Sequence, residues 1–320
     1  MDCTDKRIRI IYGDVTLGVE GEGFHYLFSR QTGGMESLVM EGREWLYRTP
    51  KPTFWRATTD NDRGSGFPLK SGMWMSADLF IRCNGMKVKV DDQEVTTLEA
   101  PANNCHTNHE YAQTVEITFL YETITVPATV VEVAYQVDAS GKILVRVWYH
   151  GKKDLPELPV FGMRFIMPTK ALGYRYRGLS GETYPDRKAG ALRGEFEVEG
   201  LPVTPYLVPQ ECGMHMDTEW VIVYRNTALD NTGRASETTG LKISAVGEKF
   251  GFSCLPYTAQ ELENASHQEE LPPARRTVLC VAGAVRGVGG IDSWGSDVEK
   301  AYRVSGEENL TLSFAIEKAV

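Results

Sequence analysis

Apolar and polar residues alternate with a period of two along much of this sequence. In residues 129–137, Val131, Val133, Tyr135 and Val137 share one face while Glu132 and Gln136 take the other. In residues 142–149 the apolar face is built by Ile143, Val145, Val147 and Tyr149, and near the end Leu310, Leu312, Phe314 and Ile316 alternate with Thr311, Ser313 and Glu317. One face served by every second side chain is strand geometry, and a polar opposite face is that of a sheet with one side wet. Further strands are expected near 8–12, 15–19, 24–28, 115–120, 160–167, 220–224, 241–245, 250–253 and 278–282. Helical windows are few and short: 73–80, 258–264 after a cap at Tyr257-Thr258, and 296–302, where Ser296 and Glu299 have capping-box spacing. Strands and helices do not alternate as in parallel sheets, and 31 Gly and 15 Pro supply turns. The expected fold is therefore all-β, packed antiparallel sheets with a few short helices, in a single domain covering 1–320.

Composition narrows the function classes. The 320 residues are 42% hydrophobic and 24% charged, enough apolar material for a real core and unlike a disordered chain. Lys and Arg number 34 against 43 Asp and Glu, a net charge of −9, which has the wrong sign for a nucleic-acid surface. The polar start, Met1 to Arg7, lacks a signal-peptide core, and the apolar stretch 278–285 is broken by Gly283, stopped by Arg286 and far too short to span a membrane. Six scattered cysteines with no Cys-x-x-Cys pair read as reduced thiols, so a cytoplasmic location is expected.

Several general motifs fall away. There is no phosphate-binding Gly-x-x-x-x-Gly-Lys loop, and the glycines of 283–290 lack a strand-turn-helix context. His106-x-x-His109-Glu110 has metal-like spacing but lies in a polar, Asn-rich stretch that reads as a solvated loop. Asp60-Asn61-Asp62 begins like a calcium loop, yet Gly64 takes the third ligand position and Ser71 stands where a bidentate Glu belongs. Three segments remain. Residues 54–66 join Phe54 and Trp55 to a charged, glycine-bearing loop; 182–187 gather charges around Tyr184-Pro185, suggesting a structural tie; and 287–295 frame Trp294 with glycines and small polar residues. An indole in that setting suits either stacking on a sugar or a partly buried structural role.

Together with Pro205-Tyr206-Leu207-Val208-Pro209-Gln210-Glu211-Cys212-Gly213, these segments occur in the order of motifs in the C-terminal domain of lac-type β-galactosidases, which the chain resembles from near Val15 to its last strand. As a free-standing version of that domain, it resembles the small subunits of heterodimeric β-galactosidases. The resemblance implies a large antiparallel super-sandwich like that of galactose mutarotase. It places the two catalytic glutamates in the barrel of a partner large subunit, so that this chain holds no catalytic residue and no cofactor, with magnesium and sodium in the partner. It also implies a β-galactoside substrate such as lactose, a substrate-stacking Trp294 flanked by Asp292 and Ser293, and a mobile active-site loop carrying Arg56, Asp60, Asn61, Asp62 and Gly64. The chain departs from the family pattern in three places. Thr58 replaces a proline and so frees a backbone N–H, Leu179-Ser180-Gly181 replaces a Gly-Pro pair, and Ile291 removes a carboxylate beside the indole. Two other readings stand beside it. One is a mutarotase or aldose epimerase using a His and a Glu as acid and base, for which His150, His215 and His267 are available. The other is a carbohydrate-binding module with no part in catalysis.

Overall fold

The computed structural model describes residues 7–96, 100, 110–228 and 237–319. Among these, the strands form antiparallel sheets of six, ten and five strands. The ten-stranded sheet runs in the order Arg193–Glu199, Gly173–Leu179, Trp220–Arg225, Thr239–Ala245, Leu310–Lys318, Ile143–Tyr149, Val130–Asp138, Thr114–Glu122, Arg82–Val90, Gln93–Val95. The five-stranded sheet runs Met214–Thr218, Phe250–Leu255, Thr277–Val285, Val160–Met167, Arg48–Thr53. The six-stranded sheet contains Ile8–Tyr12, Thr16–Gly21, Phe24–Ser29 and Gly34–Met40 at its centre.

The alternation seen in the sequence sets which face is inside. Val131, Val133, Tyr135 and Val137 are buried, as are Leu312, Phe314 and Ile316 two strands across the sheet. Aromatic rings knit the layers. Phe28 of the six-stranded sheet meets Phe119 and Tyr135 at centroid distances of 6.5 and 5.6 Å. Phe165 and Phe161 of the five-stranded sheet meet Phe314 and Tyr149 at 6.0 and 5.9 Å. All the strands expected from alternation are present, and some are found that the pattern hides. Arg48–Thr53 contains two prolines and lies at a sheet edge, where a missing N–H costs no ladder bond. Arg193–Glu199, with Glu at every second position, is likewise an edge.

The helices differ from expectation in two of three cases. Ala259–Asn264 forms as expected, capped by Thr258, whose side chain accepts from the Glu261 N–H while the Glu261 carboxylate accepts from the Thr258 N–H. Residues 73–80 are not an α-helix. A single 3-10 turn, Gly72–Trp74, gives way to turns in which Ser76 sits at φ 62°, a left-handed conformation that stops helical propagation. In 296–302 only Lys300–Tyr302 is helical, a 3-10 turn, because the Ser296 hydroxyl is drawn to Asp292 and no longer serves as a cap. Two unexpected helices, α1 (Asp60–Ser65) and α2 (Phe67–Ser71), are joined through Gly66 at φ 70°.

His215 lies between the ten- and five-stranded sheets, against Tyr176 at 4.5 Å and Phe252 at 4.9 Å. Its Nδ1 is 2.7 Å from the Gly181 carbonyl and must donate there, which leaves Nε2 to accept from the Tyr174 hydroxyl at 3.0 Å. Burial lowers its pKa to about 4, against a smaller opposing effect of the Gly181 bond. The unfolded chain therefore binds a proton near pH 6.5 that the folded chain refuses, and this contribution to stability is present above pH 6.5 and lost as pH falls towards 4. Urea titrations at pH 7 and pH 4 are expected to show about 3 kcal/mol of stability loss attributable to this site. His215→Gln should flatten that part of the pH profile.

Candidate functional site

The Phe54-Trp55 pair is core: both rings are buried, and the chain then passes through Ala57 and Thr58 into α1. Although Asp60-Asn61-Asp62-Arg63 reads as a loop, Thr59 makes it a helix. The Thr59 hydroxyl accepts from the Asp62 N–H at 3.1 Å while the Asp62 carboxylate accepts from the Thr59 N–H at 2.9 Å, a reciprocal cap. Thr59-x-x-Asp62 is the signal that sequence reading passed over.

The same carboxylate holds two buried guanidinium groups. Arg56 Nη1 lies 2.6 Å from Asp62 Oδ2 and Arg286 Nη1 lies 3.3 Å from Oδ1, with Arg56, Asp62 and Arg286 only 3%, 1% and 0% exposed. Arg286 continues to Asp297 at 2.5 Å and Glu157 at 3.3 Å, and stacks over the Phe67 ring of α2 at 3.9 Å. Arg56 also donates to the Gly287 carbonyl at 3.1 Å. Burial alone pushes the Asp62 carboxyl up, but the Arg56 charge and the hydrogen bonds from Arg56 and Thr59 outweigh it and hold the group below its usual range.

The four sequence segments converge through α1. Gln210 accepts from the Asp60 N–H at 2.7 Å and donates to its carboxylate at 3.2 Å. Asn61 donates to the Val288 carbonyl at 2.9 Å, and the Asp186 carboxylate accepts from the N–H groups of Val288 and Gly289 at 3.0 and 2.8 Å. Arg187 closes the tie by donating to the Gly289 carbonyl. So 182–187 is indeed a structural tie, made chiefly to backbone. The N–H freed by Thr58 is taken by Glu263 of the helix Ala259–Asn264 at 2.7 Å, and the same carboxylate accepts from the Thr58 hydroxyl at 2.8 Å. A contact 205 residues distant has no signature in the local sequence.

Trp294 is 92% exposed, so a partly buried structural role is set aside. Its turn is nevertheless ordered. Asp292 accepts from the N–H groups of Trp294 and Ser296 at 2.9 and 3.2 Å and from the Ser296 hydroxyl, and these bonds hold its carboxyl below the usual range. Ser293 is exposed beside it. Gly295, at φ 81°, lies so close to α1 that a Cβ there would be 2.8 Å from the Gly64 carbonyl oxygen, so the turn seats backbone against backbone. Of the expected site residues, Asn61 and Gly64 of α1 thus adjoin the 288–295 turn, Asp60 is held by Gln210, and Arg56 and Asp62 anchor the segment from below.

Between α1, 182–187, 206–211 and 288–290 opens a surface depression whose wall includes Asp60, Glu182, Tyr184, Tyr206, Gln210 and Glu211. No local sequence pattern marks Glu211 as a site residue. Burial, opposed by Arg56 and reinforced by Glu182 and Asp62, raises its pKa to about 7. Among the described residues no group of three or more His, Cys, Asp or Glu is placed to hold a metal, and His106 and His109 lie outside them. The three histidines of the epimerase reading are scattered. His150 pairs with Glu132 and His267 with Glu270 at exposed positions, and both nitrogens of the buried His215 are engaged.

Removing the central carboxylate tests the anchor. Asp62→Asn leaves two buried guanidinium groups facing a neutral amide, and the expected loss is about 3–5 kcal/mol of unfolding free energy, read from the shift of the urea midpoint. A loss below about 1 kcal/mol would show that Glu157 and Asp297 suffice without it.

Residues 20–316 match the family model described as Beta galactosidase small chain. The chain is 61% identical over 316 residues to the beta-galactosidase small subunit of Latilactobacillus sakei, covering 99% of both chains. It is 32% identical over 312 residues to a beta-galactosidase of Streptococcus thermophilus, covering 97% of this chain but only 28% of that one. A galactose mutarotase-like protein from Lactobacillus casei superposes with a TM-score of 0.41 at 10% identity, covering 95% of this chain and 100% of that one. No helix among the described residues is long and apolar enough to cross a membrane. With a family match from residue 20 to residue 316, and a small-subunit relative alike from end to end, the chain belongs to the beta galactosidase small chain family.

Proposed function

We propose that this chain is the small subunit of a β-galactosidase and completes the active site of a large subunit acting on β-galactosides such as lactose. The observation that carries the reading is Trp294, an indole 92% exposed on a turn whose backbone is fixed by Asp292 and Gly295. A large apolar ring held out into water gains nothing within the chain. It gains when a second surface brings a sugar against it, because the C–H face of a pyranose covers the ring while hydroxyls remain hydrogen-bonded.

In this reading the partner supplies the pair of carboxylates that hydrolyses the glycoside with retention, one as acid/base and one as nucleophile, and any magnesium or sodium belongs to it as well. The part of this chain is positional. Arg56 and Asp62 fix the root of α1, Asp60, Asn61 and Gly64 present its outer face, and the Asp292 turn sets the indole beside them. Ser293, exposed next to the ring, is free to meet a sugar hydroxyl. A cytoplasmic location is part of the proposal. It is supported by the free thiols Cys83, Cys212, Cys254 and Cys280, of which burial pushes Cys212 and Cys280 up to about 12 and so keeps them unreactive.

Trp294→Ala tests the reading in the chain reconstituted with a large subunit from a close relative of this protein. Stacking on a sugar is worth roughly 1–3 kcal/mol by analogy with aromatic stacking on nucleobases, so kcat/KM for lactose should fall by about fivefold to 150-fold. Circular dichroism of the small subunit should be unchanged, since the ring touches no core. Unaltered kcat and KM in a properly assembled pair would overturn the assignment.

A further inference from the structure

The depression between α1 and the 206–211 segment is lined in part by deeply buried polar side chains, Tyr184 and Glu211 among them. The Tyr184 hydroxyl is buried with no hydrogen-bond partner among the described residues, although Tyr184 is only 4% exposed. Burial first, and then the charges of Glu211 and Glu182, keep its phenol protonated, so it remains a donor. Glu211 beside it is 7% exposed and interacts electrostatically with Glu182 across the same wall. A ligand hydroxyl set against this phenol would give it the partner it lacks.

The lining decides the class of ligand. Asp60, Glu182 and Glu211 offer acceptors, and Arg187, 44% exposed at its side chain, offers donors. Three carboxylates argue against a phosphate or another anion. The guanidinium of Arg187, together with the absence of any metal-competent cluster among the described residues, argues against a cation. A neutral molecule that donates and accepts at several points fits both constraints. Tyr206, at 39% exposure, adds a half-open aromatic face at the rim, and burial with the nearby Glu182 and Asp60 charges raises its phenol pKa, which leaves it neutral and able to donate. An aromatic face beside mixed acceptors and donors is the chemistry that recognises a sugar ring.

We propose that this depression is a hexose-binding site of the small chain itself, with Tyr206 against the ring and Tyr184, Glu211, Glu182, Asp60 and Arg187 on its hydroxyls. The inference rests on the subunit reading only for its choice of sugars. The Asp186 tie and the Gln210–Asp60 pair hold the walls without any partner chain, so the site is complete in the isolated protein.

Calorimetric titration of the isolated full-length chain with galactose, glucose and lactose, each separately, tests it. Saturable binding of at least one sugar is expected with a dissociation constant on the order of 1–10 mM. Tyr206→Ala should weaken it at least tenfold. Tyr184→Phe, which removes one oxygen and leaves the ring, should weaken it about threefold or more, and Glu211→Gln gives a third reading if either tyrosine variant fails to fold by circular dichroism. No saturable binding of any of the three sugars by the folded wild-type chain overturns the site. So does binding that Trp294→Ala abolishes while the two tyrosine substitutions spare it, since the sugar then sits on the indole. Hydrolysis restored by adding a large subunit is scored in a separate assay, so a chain that restores hydrolysis but binds no hexose alone loses this site and keeps its proposed function.

Discussion

The carboxylate of Asp62 lies between two guanidinium groups that have almost no contact with water, and the geometry of α1 and the 287–295 segment follows from how those three charges are satisfied. Removing three charges from water offsets much of their mutual attraction. What the cluster supplies is definition: it is satisfied in one arrangement of the segments carrying Arg56, Asp62 and Arg286 and unsatisfied when any of them shifts. Because Asp62 also caps α1, the helix cannot rotate without uncapping itself. Because Arg56 holds the Gly287 carbonyl, the 287–295 segment is fixed to the same point, and Asn61 and Asp186 extend the fixing to Val288 and Gly289. Outward through Asp297, Glu157 and Arg303 the network becomes steadily more exposed, so the buried triad is continuous with a solvated one.

Most of the fold was legible because a strand buried on one face has to write its register into every second residue. Where that requirement lapses, so does the signal. Arg48–Thr53 needs no alternation at an edge, and Gly173–Leu179 alternates only briefly, with Tyr174 and Tyr176 buried against exposed Arg175 and Arg177. The misread helix at 73–80 failed for the converse reason. Met73, Trp74, Leu79 and Phe80 are spaced as on a helix, yet Leu79 and Phe80 are exposed and only Trp74 is deeply buried, so apolar spacing there reflects no common face.

The site was legible in its four segments and illegible in what joins them. Trp294 stood out because glycines cannot form a core around an indole. Arg286 was visible only as the charge that ends an apolar stretch, and it proves to be among the most deeply buried side chains of the protein. Its partner Asp62 is 224 residues away, and Glu263 replaces the conformational restraint of a missing proline from a distance of 205 residues. Pairings of that kind are decided by packing of the sheets and leave no local pattern to read. The acidic residue beside the indole also acquires a more definite place: the oxygens of Asp292 are engaged by the backbone and hydroxyl of its own turn, so the backbone that carries the ring is fixed before any ligand arrives.

The outermost strand of the large sheet, Arg193–Glu199, directs Glu195, Glu197 and Glu199 outward at alternate positions, with Glu195 tied back to Arg175 and Arg177. Two copies meeting along that border would set carboxylate against carboxylate at every second step, and the opposite border, Gln93–Val95, offers only three residues to extend. A ten-stranded sheet is thereby terminated electrostatically at one side and by brevity at the other. Growth of this sheet through its hydrogen-bonding direction is disfavoured at both of its described borders.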